Sequence, residues 1–218
     1  MDPSNPFDAD TWALLPSLLD HLPNPIRLHM WGDPAITLAE REGQRVGTIL
    51  AQHFDQIEFA VYPRRINYSF YPVFGVLGAA QEGEGGEFVD YGLRIIGLPA
   101  GFQMTSLISA LQAVSFQGVT IEPKTRVQLM GLKEDVTLEI LTSAEDEGGT
   151  LLAKTGFGLA VASPYIRSYL IMADLFPETA MRYSARYLPH IVVNGRYHID
   201  DIVEEEDLLK HIAKALKS

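Results

Sequence analysis

The chain is predicted to be an α/β protein of two like units, each a central mixed sheet flanked by helices. Three observations lead there. Apolar residues recur at helical spacing in some segments and alternate in others. The order of those segments repeats across the two halves of the 218 residues. The composition, 47% hydrophobic and 21% charged, is that of a folded chain and not of a disordered one. A chain of this length can bury one large core or two cores of about a hundred residues each.

Residues 8–22 place Trp12, Leu14, Leu15, Leu18, Leu19 and Leu22 near helical spacing, with Pro16 inside the pattern and Pro23 closing it. Ile26, Leu28 and Met30 alternate with Arg27, His29 and Trp31, which predicts a strand buried more on one face; Gly32, Asp33 and Pro34 then turn the chain. Residues 37–54 read as a helix through Leu38, Val46, Ile49, Leu50 and Phe54, although Gly43 and Gly47 each weaken it by about 1 kcal/mol relative to alanine. A strand follows at 57–62. Tyr71-Pro72 leads into the apolar run 73–77, a glycine- and glutamate-rich tip at 81–87 and a strand at 93–96, so this region reads as a strand pair with a mobile tip. Phe102, Leu107, Ile108, Leu111 and Val114 mark a helix over 102–116.

The second half repeats this order with little residue identity. It offers a strand at 136–141, a turn at 143–149, a helix at 150–162 and a strand at 166–172. A short helix over 178–186 follows Pro177. Leu188-Pro189 opens a strand at 190–193, Asn194-Gly195 supplies a two-residue hairpin turn, the chain returns over 196–199, and a helix at 204–216 ends it. Residues 117–132, with Pro123 at a helix start, form the link; the units are accordingly placed at 1–117 and 118–218.

Composition excludes several kinds of chemistry. There is no cysteine, so disulfides, thiolate metal sites, iron-sulfur clusters and cysteine nucleophiles are impossible. A net charge of −11 with scattered lysines and arginines argues against nucleic acid as a partner. No run reaches the roughly 18 apolar residues of a membrane helix, and the polar, acidic start lacks the marks of a signal peptide. A cytoplasmic location without membrane association is therefore expected.

The order strand-helix-strand, an X-Pro step into an antiparallel pair, then a covering helix resembles the thioredoxin fold. The X-Pro steps are Tyr71-Pro72 and Leu188-Pro189. The stretch from Tyr187 through Pro189, His190, Ile191, Val192 and Val193 to Asn194-Gly195 is similar to the glutaredoxin pattern at this point. Tyr91-Gly92-Leu93-Arg94 leading into Gly97-Leu98-Pro99-Ala100-Gly101-Phe102 resembles a junction in prokaryotic protein disulfide oxidoreductases, which fuse two glutaredoxin-like units. Phe176-Pro177-Glu178 and the leading helix near Asn24-Pro25 extend the resemblance over nearly the whole chain.

That resemblance implies a cis bond at each X-Pro step and a C-x-x-C motif where the first strand of each unit meets its helix. Thr37 and Glu40 align with the motif in the first unit, and Glu145 and Gly148 in the second. With both motifs lost, thiol-disulfide exchange is excluded.

Candidate sites follow from what survives. In thioredoxin folds the backbone before the cis-proline can pair with an extended peptide without a thiol, which makes Tyr71, Pro72, Leu188, Pro189 and His190 the binding candidates. A two-residue turn pairs Ile191 with His198, so His190 and His198 are expected on opposite faces of the hairpin, unable to share a metal. Glu145, Asp146 and Glu147 read as a solvated loop whose acids suit a helix start; an acid-base pair or cation site there is the competing reading. Trp12, Tyr68, Phe70 and Tyr71 are expected in the core or at the seam between units.

The glycines at 83, 85 and 86 lack the lysine and hydroxyl of a phosphate loop. No catalytic residue, metal or cofactor is assigned. A glutathione transferase is excluded because the second half repeats strands. The expected function is a redox-inactive binding or scaffold module for a protein or extended peptide. The alternatives are an enzyme using Glu145, Asp146 and His190, or a structural protein whose role is pairing with its own copies.

Overall fold

The computed structural model describes residues 6–79 and 88–217, so the glycine-rich tip expected at 81–87 lies outside the described residues. The chain folds in the order α1 (Ala9–Leu19), β1 (Ile26–Trp31), α2 (Leu38–His53), β2 (Ile57–Tyr62), β3 (Val73–Ala79), β4 (Phe88–Ile96), α3 (Gln103–Ser115), α4 (Pro123–Leu129), β5 (Val136–Thr142), α5 (Glu147–Ala162), β6 (Ile166–Met172), α6 (Pro177–Tyr183), β7 (His190–Val193), β8 (Tyr197–Ile199) and α7 (Glu205–Ala215). Each element expected from the apolar pattern is present.

Several boundaries differ: β4 begins at Phe88 and not at 93, and α1 ends at Leu19 and not at 22. Helix α5 starts at Glu147 and not at 150, because Asp146 caps it by accepting from the Gly149 N–H. Helix α6 starts on Pro177 and ends at Tyr183, where Ser184 adopts a left-handed conformation that stops the helix short of 186.

The strands form one eight-stranded sheet in the order β2-β1-β3-β4-β6-β5-β7-β8. Within each half the second strand pairs parallel with the first, and the first pairs antiparallel with the third. The halves join where β4 and β6 run parallel, from Leu93 opposite Ser168 to Ile96 opposite Ile171. Two sheets side by side would leave both of these strands as open edges with unpaired backbone groups; their pairing removes both edges.

Ile26, Leu28 and Met30 of β1, Leu93 and Ile95 of β4, Leu138 and Ile140 of β5, and Ile191 and Val193 of β7 face one continuous core. Helices α1, α2, α3, α4, α5 and α7 all contribute to it. The glycines that weaken α2 are required by packing: a Cβ at Gly47 would stand 2.2 Å from the Phe59 ring, and one at Gly43 would stand 2.9 Å from that of Phe74. On the other face, α6 covers only a small cluster of Leu141, Ala173 and Val192. Among the described residues no helix is long and apolar enough to cross a membrane.

Candidate functional site

The sheet topology brings both strand-helix corners and both X-Pro steps to the same end of the sheet. In the first corner Thr37 caps α2, its hydroxyl accepting from the Glu40 N–H at 3.2 Å. Glu40 is fully buried and accepts four hydrogen bonds. They come from the Asp33 N–H at 2.8 Å, the Thr37 hydroxyl at 2.7 Å, and Arg64 Nε and Nη2 at 2.8 and 2.6 Å. Burial alone would raise the Glu40 carboxyl, but these donors outweigh it and hold the pKa below the ordinary 4.5. The fork of Arg64 thus ties the connector after β2 to the first turn of α2.

The second corner has a carboxylate but no ion pair among the described residues. Asp146 Oδ2 accepts from the Thr142 hydroxyl at 2.9 Å, while its other oxygen caps α5. Gly148 lies under Ile202, whose Cδ1 is 2.5 Å from where a Cβ would be. The other half of the chain completes the corner. Gln103, fully buried at the start of α3, donates from Nε2 to the carbonyls of Ser143 and Asp146 at 3.0 and 2.7 Å. Phe102 N–H donates to the Ala144 carbonyl at 2.9 Å. Gly101 makes this approach possible, since a Cβ there would stand 2.3 Å from the Ala144 oxygen. Glu145 and Glu147 are exposed, and no hydrogen bond or ion pair joins them or Asp146 to His190. His190 is engaged instead by His198 and Asp200.

Both X-Pro bonds are cis, and their surroundings differ. Pro72 is buried, the Arg64 guanidinium lies 4.9 Å from the centre of the Tyr71 ring, and the Tyr71 hydroxyl donates to the Arg65 carbonyl. Leu188 is exposed, as are Tyr187 and Met181. Among the described residues neither the N–H nor the C=O of Leu188 has a hydrogen-bond partner.

The expectation that His190 and His198 lie on opposite faces is overturned: His190 Nε2 is 2.9 Å from His198 Nδ1. Val193 pairs with Tyr197 and Val192 with His198, so three residues connect the strands. Asn194 sets this register. Its N–H donates to the Thr137 carbonyl at 2.9 Å and its side chain accepts from the Thr137 N–H at 2.8 Å, holding the turn against β5. A shift of one residue exchanges the faces of a strand. His190 is buried with Nδ1 at 2.6 Å from Asp200 Oδ1. Burial lowers its pKa, and the opposing pull of Asp200 does not restore it.

The sheet face away from the helix layer carries a polar row that single segments do not reveal. Pairing places His29, Gly75, Arg94, Tyr169, Glu139, Val192 and His198 side by side across the strands. Arg94 is held by Asp90 at 2.9 and 2.6 Å and by the Tyr68 hydroxyl at 2.7 Å, beside the Trp31 ring. The alternation of Arg27, His29 and Trp31 in β1 was the available signal; the matching residues of the other strands needed the register.

No family model matches the chain, and no curated protein does. Solved structures match over nearly its full length. The chain is similar to an N-terminal domain of the alkylhydroperoxide reductase AhpF from Enterococcus faecalis, with a TM-score of 0.84 and 18% identity, covering 94% of this chain and 99% of that one. A mutant of the same reductase gives a TM-score of 0.83 at 17% identity, covering 95% of this chain and 100% of the other. A protein disulfide oxidoreductase from Aeropyrum pernix gives 0.81 at 19% identity, over 96% and 94% of the two chains. At these identities the likeness is one of fold: the chain has a thioredoxin-like α/β fold built on a mixed sheet of eight strands flanked by helices.

Proposed function

We propose that this thioredoxin-like chain is redox-inactive and works as a binding module for an extended peptide or a protein segment, received at the second X-Pro step. Residues 1–117 and 118–218 are its two thioredoxin-like units, descended from a disulfide oxidoreductase that lost both C-x-x-C motifs. The observation that carries this reading is Leu188, whose backbone donor and acceptor have no partner among the described residues while its neighbours Tyr187 and Met181 are exposed. Backbone groups held rigidly beside apolar side chains suit the addition of a strand, which takes affinity from main-chain bonds and selectivity from side-chain contacts. The first step suits it less, since Arg64 and Tyr71 lie over it.

The reading is tested by selecting peptides on the whole protein from a displayed random library and measuring them against Leu188→Asp. Selected peptides are expected to bind the variant about tenfold or more weakly, the loss of a buried apolar contact beside the paired backbone. Equal affinity for both proteins would remove the second X-Pro step from the reading. A parallel insulin reduction assay is expected to show no turnover above background.

A further inference from the structure

A groove of about 340 Å³ crosses the sheet face opposite the helix layer, at the seam of the two halves. Ile96 of β4, Tyr169 of β6 and Glu139 of β5 line it, with the connector carrying Tyr68 and Phe70 on one side and α6 with Tyr183 on the other. Phe70 stacks on Phe176, their ring centres 4.6 Å apart, which couples the connector of the first half to the second. The groove therefore exists only because the two halves share one sheet.

Its charge is unbalanced in one direction. Glu139 is half-buried and one of its oxygens accepts from the Tyr183 hydroxyl at 2.6 Å. Burial and that carboxylate push the Tyr183 hydroxyl up to about 12, so it remains a donor throughout the neutral range. No lysine, arginine or histidine among the described residues pairs with Glu139. Arg94, in the same row of the sheet, is already neutralised by Asp90. At the rim Glu178 and Arg182 are both exposed, and the Arg182 guanidinium lies 5.1 Å from the centre of the Tyr183 ring, a cation that competes for that wall. A half-withdrawn carboxylate without a counter-charge is unfavourable, and aromatic rings such as those lining the groove carry electron-rich faces that attract cations.

We propose that this groove binds an organic cation, an alkylammonium or guanidinium head group, with Glu139 as its counter-charge and Tyr68, Tyr169 and Tyr183 as its walls. The volume lies at the small end of ligand pockets, enough for a short amine or one arginine side chain and too small for a helix. This site is separate from the edge at Leu188 and stands or falls independently of peptide binding there.

The test is titration of the isotope-labelled full chain, followed by amide and aromatic NMR shifts, with agmatine, N-acetylargininamide and butyrate as probes. One of the two cations is expected to bind with a Kd of about 1 mM or tighter, moving Tyr169 and Tyr183 resonances, while butyrate does not. Agmatine alone would identify a free amine as the ligand, and N-acetylargininamide alone a peptide side chain; either supports the site. Glu139→Gln is expected to weaken binding about tenfold, and Arg182→Gln to tighten it about twofold by removing the rim cation. These opposite signs separate electrostatic recognition from a loss of folding. Butyrate binding as well as the cations, no shift with either cation up to about 20 mM, or unchanged affinity in Glu139→Gln in a chain whose spectrum is otherwise native would overturn the proposal.

Discussion

The two corners at which a first strand turns into its helix occupy equivalent places in the sheet and are closed by different physics. Around Glu40 the closure is ionic: a buried carboxylate takes four donors, two of them from an arginine 24 residues away in sequence. Around Gly148 no cation takes part: the Asp146 carboxylate caps the helix, and the other half of the chain closes the corner through the Gln103 amide and a backbone bond from Phe102. Neither corner has a thiol, and neither leaves the helix start bare. The two helix starts are thus closed by two separate packing solutions, one strengthened by an ion pair and the other by contact across the seam.

The ionic corner is the one whose disruption should cost most. Glu40→Ala removes the acceptor of four donors and leaves Arg64 unpaired; Arg64 is 36% exposed, and water recovers part of its solvation. A loss of about 3 kcal/mol is expected in urea denaturation. At the second corner Gln103→Ala removes two bonds to the carbonyls of Ser143 and Asp146 and is expected to cost about 2 kcal/mol, read from the same denaturation midpoints.

Acid sharpens the contrast. The Glu40 carboxyl titrates below its ordinary 4.5 in the folded chain, so its contribution is complete above the unfolded value and is lost as pH falls through the folded one. The stability gap between the wild type and Glu40→Gln should therefore narrow as pH falls below the ordinary 4.5, whereas the gap to Gln103→Ala, an uncharged group, stays constant. A constant gap for both variants would show that Glu40 is not held ionised by its donors. The smallest effect belongs to Glu145→Gln. Exposed and without a partner among the described residues, it should change the midpoint by less than about 0.5 kcal/mol.

Much of this could be read locally. The hydrophobic period located most of the described helices and strands, Pro123 marked the start of α4, and the three-residue spacing of Thr37 and Glu40, read only as C-x-x-C positions, fits a capping box whose acid was visible. Its arginine was not, because nothing near Arg64 in the sequence points to Glu40. Asp146 was read among helix-start acids, but the cap it forms set the helix boundary three residues earlier than the apolar spacing suggested. The His190 and His198 pair was misplaced for a related reason. Asn194-Gly195 does form a tight turn with positive φ of 52° and 69°, but the bonds of Asn194 to Thr137, 57 residues away, decide the register that follows.

What the sequence by itself determined is the absence of dithiol chemistry, since no arrangement supplies a missing sulfur, and the order of elements, since periodicity is local. The tertiary structure alone decided the joining of β4 to β6, the burial of Glu40 beneath Arg64 and the meeting of Glu139 with Tyr68, Tyr169 and Tyr183 around one groove. Each depends on pairing between residues far apart in the chain, and register, which fixes the face every side chain takes, is a property of the pair and not of either strand.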